Sequence, residues 1–198
     1  MSPTTPTRRS PGDLAPAVRL SAIDGSTFDT ARLSGRRYLL SLFRFASCPF
    51  CNLRVHHLTR RFAELGPGFG IVAIFDSPLD NLRRHADRHG APFPILADET
   101  GETYRTYAIE RSVAGMLKGM ALRAPTLMEA MARGYLPTSL RGSLTTMPAD
   151  FLVDERGAIR TAHYGRDDGD HLPFDDVLAF SREDAHARAD SPDSGGAA

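Results

Sequence analysis

Both cysteines of the chain, Cys48 and Cys51, lie in the stretch RFASCPFCNLRVHHL, residues 44–58. Two thiols with two residues between them can cycle between dithiol and disulfide, supply half of a metal site, or sit inert in a core. Structural zinc takes four ligands, and the chain has no second cysteine pair. His56 and His57 share the expected helix without converging on both sulfurs. His85 and His89 are spaced i, i+4 and are expected to line a solvated face beside Arg84 and Arg88. No metal is therefore expected. A bridge closing so short a loop removes only about 2 kcal/mol of chain entropy, against about 5 for a loop of a hundred residues, so a purely structural staple would be poorly placed.

The redox reading explains more of the local sequence. Pro49 suits the first turn of a helix, which puts Cys48 at the N-cap, where unpaired backbone N–H groups and the helix dipole favour a thiolate. A free thiol with a pKa of ~8.5 is barely ionised at neutral pH, whereas one lowered to ~7 is half ionised. Cys51, Val55, Leu58, Phe62 and Leu65 form one apolar helical stripe, so Cys51 is expected to be buried and slower, with Cys48 at the rim. Cys48 is thus the expected nucleophile and Cys51 the resolving thiol. Arg44 is a candidate thiolate stabiliser, although strand spacing would equally send it to solvent. In TTMPADFLVD, a cis Met147–Pro148 bond would present the Met147 backbone to a bound thiol or peptide, which makes Met147 and Pro148 candidate substrate-binding residues. An ordinary trans proline at a strand edge is the alternative. Asp168, Asp170 and His171 form a polar loop, expected to be solvated, with proton shuttling to the cysteines as the alternative.

The elements that must hold these residues follow from hydrophobic pattern. Val18 to Asp29 alternates and turns at Asp24-Gly25, which predicts a leading hairpin. Arg37 to Phe45 and Gly70 to Asp76 are nearly continuous apolar runs, as expected of strands buried on both faces. A helix is expected from the cysteines to about Leu65, another over Pro78 to Gly90, a strand over Phe93 to Asp98 and a helix starting in TGETYRTYAI. Pro148 to Gly165 reads as strand, turn at Arg156-Gly157, strand, and PFDDVLAFSRE as a closing helix. Between them, about 105–146 holds an insertion rich in Met and Leu. It is expected to form two short amphipathic helices, interrupted by Pro125 and Pro137, whose Met116, Met120, Met128 and Met131 pack on the domain. Gly115-x-x-x-Gly119 resembles a membrane dimer motif in a segment too polar to span. Residues 1–13 and 184–198 are expected as frayed tails around one domain, 14–183.

Charge and composition limit the partners. Twenty-four Lys and Arg balance 24 Asp and Glu, and all but Lys118 of the cations are arginine, scattered among acids. Nucleic acid is not an expected partner, since phosphate-binding surfaces show a basic excess. No apolar run approaches the ~20 residues that cross a bilayer, and the first dozen residues hold no secretory core. A cytoplasmic protein is expected, a setting in which a cysteine pair is more often catalytic than structural.

RFASCPFCNLRVHHL, the insertion ending in GYLP and MPADFLVDERGAIRTAHYGRDDGDHLP together resemble the peroxiredoxin-like branch of the alkyl hydroperoxide reductase and thiol-specific antioxidant superfamily, over roughly Leu14 to Phe180. The resemblance implies an α/β, thioredoxin-like fold: a mixed central sheet flanked by helices. It also implies a thiol-dependent oxidoreductase with Cys48, Cys51 and Pro148 as site residues, no bound cofactor, and electrons from a thioredoxin or glutathione system. Peroxiredoxins carry Pro-x-x-x-Thr/Ser-x-x-Cys. Counting back from Cys51 sets Cys48 at the hydroxyl place and Arg44 at the proline place; counting back from Cys48 meets Phe45 and Ser41. Hydroperoxides and protein disulfides both stay open as substrates. The peroxiredoxin register favours Cys51 as the first attacker, and the thioredoxin register favours Cys48. Two alternatives accompany this reading. Cys-Pro-Phe-Cys and TMPADF also resemble a glutaredoxin, a glutathione-dependent disulfide reductase, and the methionine-rich insertion would suit a redox-switched binding module. Oligomeric state is left open.

Overall fold

The computed structural model describes residues 7–138 and 141–183. In chain order the elements are β1 (Arg19–Ala22), β2 (Thr27–Asp29), β3 (Arg37–Phe43), α1 (Pro49–Arg61), β4 (Phe69–Phe75), α2 (Leu79–Ala86), β5 (Ile95–Ala97), α3 (Glu102–Thr106), α4 (Val113–Leu122), α5 (Ala124–Ala132), β6 (Ala149–Val153), β7 (Ile159–Tyr164) and α6 (Phe174–Arg182). The strands form one seven-stranded sheet in the order β2-β1-β5-β4-β3-β6-β7. β3, β4 and β5 are parallel, and the outer strands join antiparallel, so the sheet is mixed as expected.

The two continuous apolar runs became the two central strands, each buried over its whole length. Their pleat divides the core into two faces. Leu39, Phe43, Ile71, Ala73 and Phe75 face α1, α2 and α6 through Val55, Leu58, Leu82, Val177 and Phe180. Leu40, Leu42, Val72 and Ile74 face Tyr104, Tyr107, Phe151 and Val153 on the other side. Phe43 and Phe75 stack with centroids 4.8 Å apart, directly beneath the point where both strands run out towards the cysteine loop. The leading hairpin turns at Gly25, whose φ of 92° explains the glycine.

Two expectations are corrected here. Residues 8–13, expected to fray, instead lie along the edge of β7: Gly12 N–H donates to Ile159 O at 2.8 Å, Ile159 N–H donates to Asp13 O at 2.8 Å, and Arg9 N–H reaches the Tyr164 hydroxyl at 2.7 Å. The remaining tail residues, 1–6 and 184–198, lie outside the described residues. The insertion does form two short helices, and Pro125 starts α5 rather than interrupting it, as suits a residue with no N–H to donate. Three of its four methionines, however, do not pack inward, and Met116 is half-buried. Met120, Met128 and Met131 are exposed with Leu117 and Leu122, while α5 docks on α1 through Ala130 against Leu53, and α4 docks through Gly115 and Gly119. Small residues carry these closest contacts because they allow close approach, Leu127 adds to the core contact, and most of the long apolar side chains are left facing outward. Among the described residues no helix is long and apolar enough to cross a membrane.

Candidate active site around Cys48 and Cys51

Beyond the end of β3 the chain turns and enters α1, with Cys48 as N-cap and Pro49 in the first turn, as expected. Asn52 fixes this turn. Its side-chain amide donates to Ala46 O at 2.8 Å and Cys48 O at 2.9 Å, while its backbone N–H bonds Cys48 O at 3.0 Å. With both amide protons used, the Asn52 carbonyl oxygen faces His89 Nε2 at 2.9 Å, so that nitrogen is the donor. Burial, with the charges of Arg88 and His56, lowers His89 to about 4, and it sits there neutral. His89 is therefore a half-buried support of the cysteine turn, not part of a solvated face, because the 3-10 turn Asp87–His89 after α2 brings it against α1.

Arg44, the first residue after β3, points inward and is almost fully buried. Its Nε donates to Thr146 O at 3.0 Å, Nη2 donates to Leu144 O, and Nη1 lies 3.8 Å from Cys48 Sγ and 2.7 Å from Asp168 Oδ2. One nitrogen thus serves both the thiol and a carboxylate. Both cysteines are free and neither sulfur is exposed. This corrects the rim position expected for Cys48: segments 144–146 and 165–171, tied to Arg44, close over the helix N-terminus.

The environment separates the two thiols. Burial pushes Cys48 up, but the Cys51 thiol, the Arg44 guanidinium and the Cys51 N–H outweigh it and leave Cys48 below the ordinary thiol value. Cys51 is driven well above that value by burial and by its place beside Cys48. Arg44 is held cationic against its own burial by Cys48, Cys51 and Asp168.

The loop after β7 is also corrected. Asp168 is 2% exposed, the His171 side chain is buried and Asp170 is half-buried, so the loop packs its polar side chains against the domain rather than into solvent. Burial raises Asp168 to about 6 despite the opposing pull of Arg44. His171 Nδ1 meets Asp150 Oδ2 at 3.0 Å, the Ser41 hydroxyl bonds the other Asp150 oxygen, and Leu172 N–H donates to Oδ2 at 2.7 Å. Burial works to raise Asp150, but His171, Arg54 and Ser41 outweigh it and hold the carboxyl well below its usual range. Asp170 instead binds His163 at 3.1 Å and the Arg166 N–H at 2.8 Å.

This arrangement, an acidic thiol at a helix N-terminus with its partner one turn on, agrees with the sequence comparison. Residues 11–162 match the AhpC/TSA family. The chain belongs to that family. A protein of Mycobacterium tuberculosis strain H37Rv named "Putative peroxiredoxin Rv2521" is 31% identical over 100 residues, which are 50% of this chain and 64% of that protein. The match thus spans under two thirds of that relative's length. Among solved structures, the peroxidoxin BcpB of Mycobacterium tuberculosis superposes with a TM-score of 0.62 at 16% identity, covering 87% of this chain and 96% of that one. A peroxiredoxin-like protein from Aquifex aeolicus gives 0.65 at 13% identity, with 90% of each chain covered. At such identities these two establish the shared thioredoxin-like fold.

In this AhpC/TSA chain the Met147–Pro148 peptide is trans, which corrects the cis expectation; no cis bond occurs among the described residues. Neighbouring backbone occupies the segment: Met147 N–H donates to Glu110 O at 2.9 Å, and Pro148 O accepts from Gly165 N–H at 2.9 Å. Met147 is buried with its sulfur against Gly115, and it borders an open cavity that also reaches Arg8, Glu110, His163, Arg166 and Asp170. The carbonyl presented to Arg44 is that of Thr146. Sequence reasoning missed Asn52, Thr146 and the Arg44 contact of Asp168. A polar residue three before Val55, next to the apolar stripe, was the available signal for Asn52; Asp168 lies 124 positions from Arg44 and had none.

Proposed function

We propose that the chain is a thiol-dependent oxidoreductase that cycles Cys48 and Cys51 between dithiol and disulfide, with Cys48 as the attacking thiol. The observation that carries this is the asymmetry of the pair: Arg44 Nη1 lies 3.8 Å from Cys48 Sγ at the helix N-terminus, while burial keeps Cys51 protonated. The thiolate is the attacking species, so ionisation selects the nucleophile. With a hydroperoxide, Cys48 thiolate bonds the distal oxygen, the O–O bond breaks, and the departing alkoxide takes a proton to leave as alcohol. Cys51 then attacks the Cys48 sulfenic acid, forming the S–S bond and expelling water. With a disulfide substrate, Cys48 forms a mixed disulfide and releases one thiol, and Cys51 releases the other. A thioredoxin or two glutathione molecules returns the pair to the dithiol, in a cytoplasmic setting. Met147 and Pro148 are buried behind Thr146 and support the site from there rather than by backbone contact with substrate.

The test treats fully reduced protein with hydrogen peroxide and, separately, with oxidised glutathione, following thiol loss and mapping products by mass spectrometry. We expect one equivalent of oxidant to yield the Cys48–Cys51 disulfide, Cys48→Ser to abolish the reaction, and Cys51→Ser to stop at a trappable sulfenic acid or mixed disulfide. Peroxide consumption orders of magnitude faster than a free thiolate assigns hydroperoxides as substrates; a free-thiolate rate with fast disulfide exchange assigns disulfides. Reaction in Cys48→Ser but not in Cys51→Ser would reverse the roles.

A second reading draws on the exposed Leu117, Met120, Leu122, Met128 and Met131, which suit an adaptable contact in a redox-switched binding module. Such a module would oxidise once and change partner affinity without turnover. The glutaredoxin-like alternative is less favoured, because Asp167 and Asp168, the acids near a would-be glutathione site, are engaged by Arg123 at 2.5 Å and Arg44 at 2.7 Å.

A further inference from the structure

Asp168 is an odd residue to bury for stability. It is 2% exposed, one of its oxygens is taken by Arg44 at 2.7 Å, and the other has no hydrogen-bond partner. An unsatisfied buried acceptor is destabilising, so a structural role alone would be better filled by another side chain. Its position is nevertheless tightly fixed. A Cβ at Gly119 of α4 would lie 2.8 Å from Asp168 N and 2.9 Å from Asp168 Cβ, so the helix rests directly on this residue. One turn earlier, a Cβ at Gly115 would meet Met147 Sδ at 2.6 Å and Arg166 O at 3.0 Å. The Gly115-x-x-x-Gly119 pattern is thus a seat for the 165–171 loop. At the end of α4, Arg123 bonds Asp167 at 2.5 Å and closes the same contact.

We propose that Asp168 is a positioning residue that sets the ionisation of Cys48: it shares Nη1 of Arg44 with the thiol, draws part of that charge away from the sulfur, and is held in place by α4 through Gly119. This rests on the reading of Cys48 as the attacking thiol. The charged and titratable groups facing the sulfur are Arg44 from the end of β3, Cys51 from α1 and Asp168 from the loop after β7; α4 contributes only its glycine backbone there. Arg44 favours the thiolate and Asp168 opposes it. The insertion is in this way coupled to the reactivity of a thiol that it does not itself ionise.

The experiment measures iodoacetamide alkylation of the reduced full chain from pH 4 to 10, with early-time mass spectrometry to separate the two cysteines. Asp168→Asn keeps the side-chain shape and removes the charge, and the midpoint for Cys48 is expected to fall by about one pH unit. Gly119→Ala keeps every charge and displaces Asp168 from Arg44, and it should move the midpoint the same way by a smaller amount. A Cys48 midpoint within about 0.2 unit of the unmodified protein in Asp168→Asn overturns the inference. Should Asp168→Asn fail to fold, Gly119→Ala, in which the added methyl pushes on the Asp168 backbone and helix propensity rises, decides alone by the same criterion. A role confined to folding would change denaturation and leave these midpoints unmoved. If Cys48 alkylates first but ignores both substitutions, only this inference fails. If Cys51 alkylates first at neutral pH in the unmodified protein, the assignment of the nucleophile fails, and this inference with it.

Discussion

Replacing Arg44 with glutamine removes the cation beside Cys48 while leaving an amide to meet the Leu144 and Thr146 carbonyls. At the observed 3.8 Å and an effective dielectric of about 20, a full charge pair is worth about 4 kcal/mol, or about 3 pKa units. Asp168, 2.7 Å from the same nitrogen, takes up part of that field. We therefore expect the Cys48 midpoint to rise by about 1–2 units, cutting the thiolate fraction by about 10- to 100-fold at any pH below the original midpoint. Alkylation rate against pH, resolved by cysteine, reads this directly. Asp168 would be left buried without its cation, a loss of about 3 kcal/mol that denaturant unfolding must show is survivable. The double variant Arg44→Gln with Asp168→Asn removes that penalty and should keep the raised midpoint. A folded Arg44→Gln protein with an unchanged midpoint would refute the argument that Arg44 ionises Cys48.

Three further outcomes follow from the buried polar contacts. Asp150→Ala strips partners from Ser41, His171 and the Leu172 N–H at once, and should lower unfolding stability by about 3 kcal/mol or more in urea; a change under about 1 kcal/mol would mean that the cluster is not coupled to folding. Asn52→Ala removes both amide bonds that hold the cysteine turn, so stability should drop by about 1–3 kcal/mol and Cys48 alkylation at saturating pH should speed up; an unchanged rate would show that the turn is held elsewhere. Because folding raises Asp168 from 3.8 to about 6, the folded state binds that proton more tightly than the unfolded state. Its contribution is fully present below about pH 4 and is lost as pH rises through about 6. Asp168→Asn should flatten the stability curve across that window, and a curve parallel to that of the unmodified protein would contradict the burial of its charge.

Much of the frame could be read from local sequence. β3 and β4 announced themselves as uninterrupted apolar runs, and Pro49 beside the stripe of Cys51, Val55 and Leu58 located the start of α1, because these signals depend on residues a few positions apart. The insertion shows where that logic stops. Periodic methionines reveal that a helix has an apolar face but not which way the face turns. Here Gly115, Gly119 and Ala130 win the inward side by allowing closer approach. The loop at 165–171 was misread for a related reason. Acidic residues and a histidine near glycine look solvated until Arg44, Asp150 and Arg123 arrive from distant elements to neutralise them. Those pairings are tertiary, so composition pointed the wrong way.

The placement of Arg44 ties these features together. β3, β4 and β5 are parallel and end on the same side of the sheet, so the residues just beyond them, Arg44, Asp76 and Asp98, gather at their carboxyl ends, where open α/β sheets build their sites. Asp76 accepts from the Thr146 hydroxyl at 2.8 Å, and Thr146 in turn offers its carbonyl to Arg44, so the strand ends and the segment before β6 are knitted into one polar layer. Lysine could not replace Arg44 in this layer. Four partners, the Leu144 and Thr146 carbonyls, the Asp168 carboxylate and the Cys48 sulfur, are met by three nitrogens spread across one plane, whereas an ammonium brings its donors to a single point. The buried cation is tolerable because its donors are satisfied, and because they are satisfied by the segments that cover the sulfur, the charge that lies 3.8 Å from Cys48 Sγ also fastens its cover. On the proposed reading of Cys48 as the attacking thiol, reactivity and access would then be set by the same side chain: a substrate reaching Cys48 would have to part the contacts of Arg44 with 144–146 or 165–171, and loosening the Asp168 contact would leave more of the guanidinium charge for the thiolate.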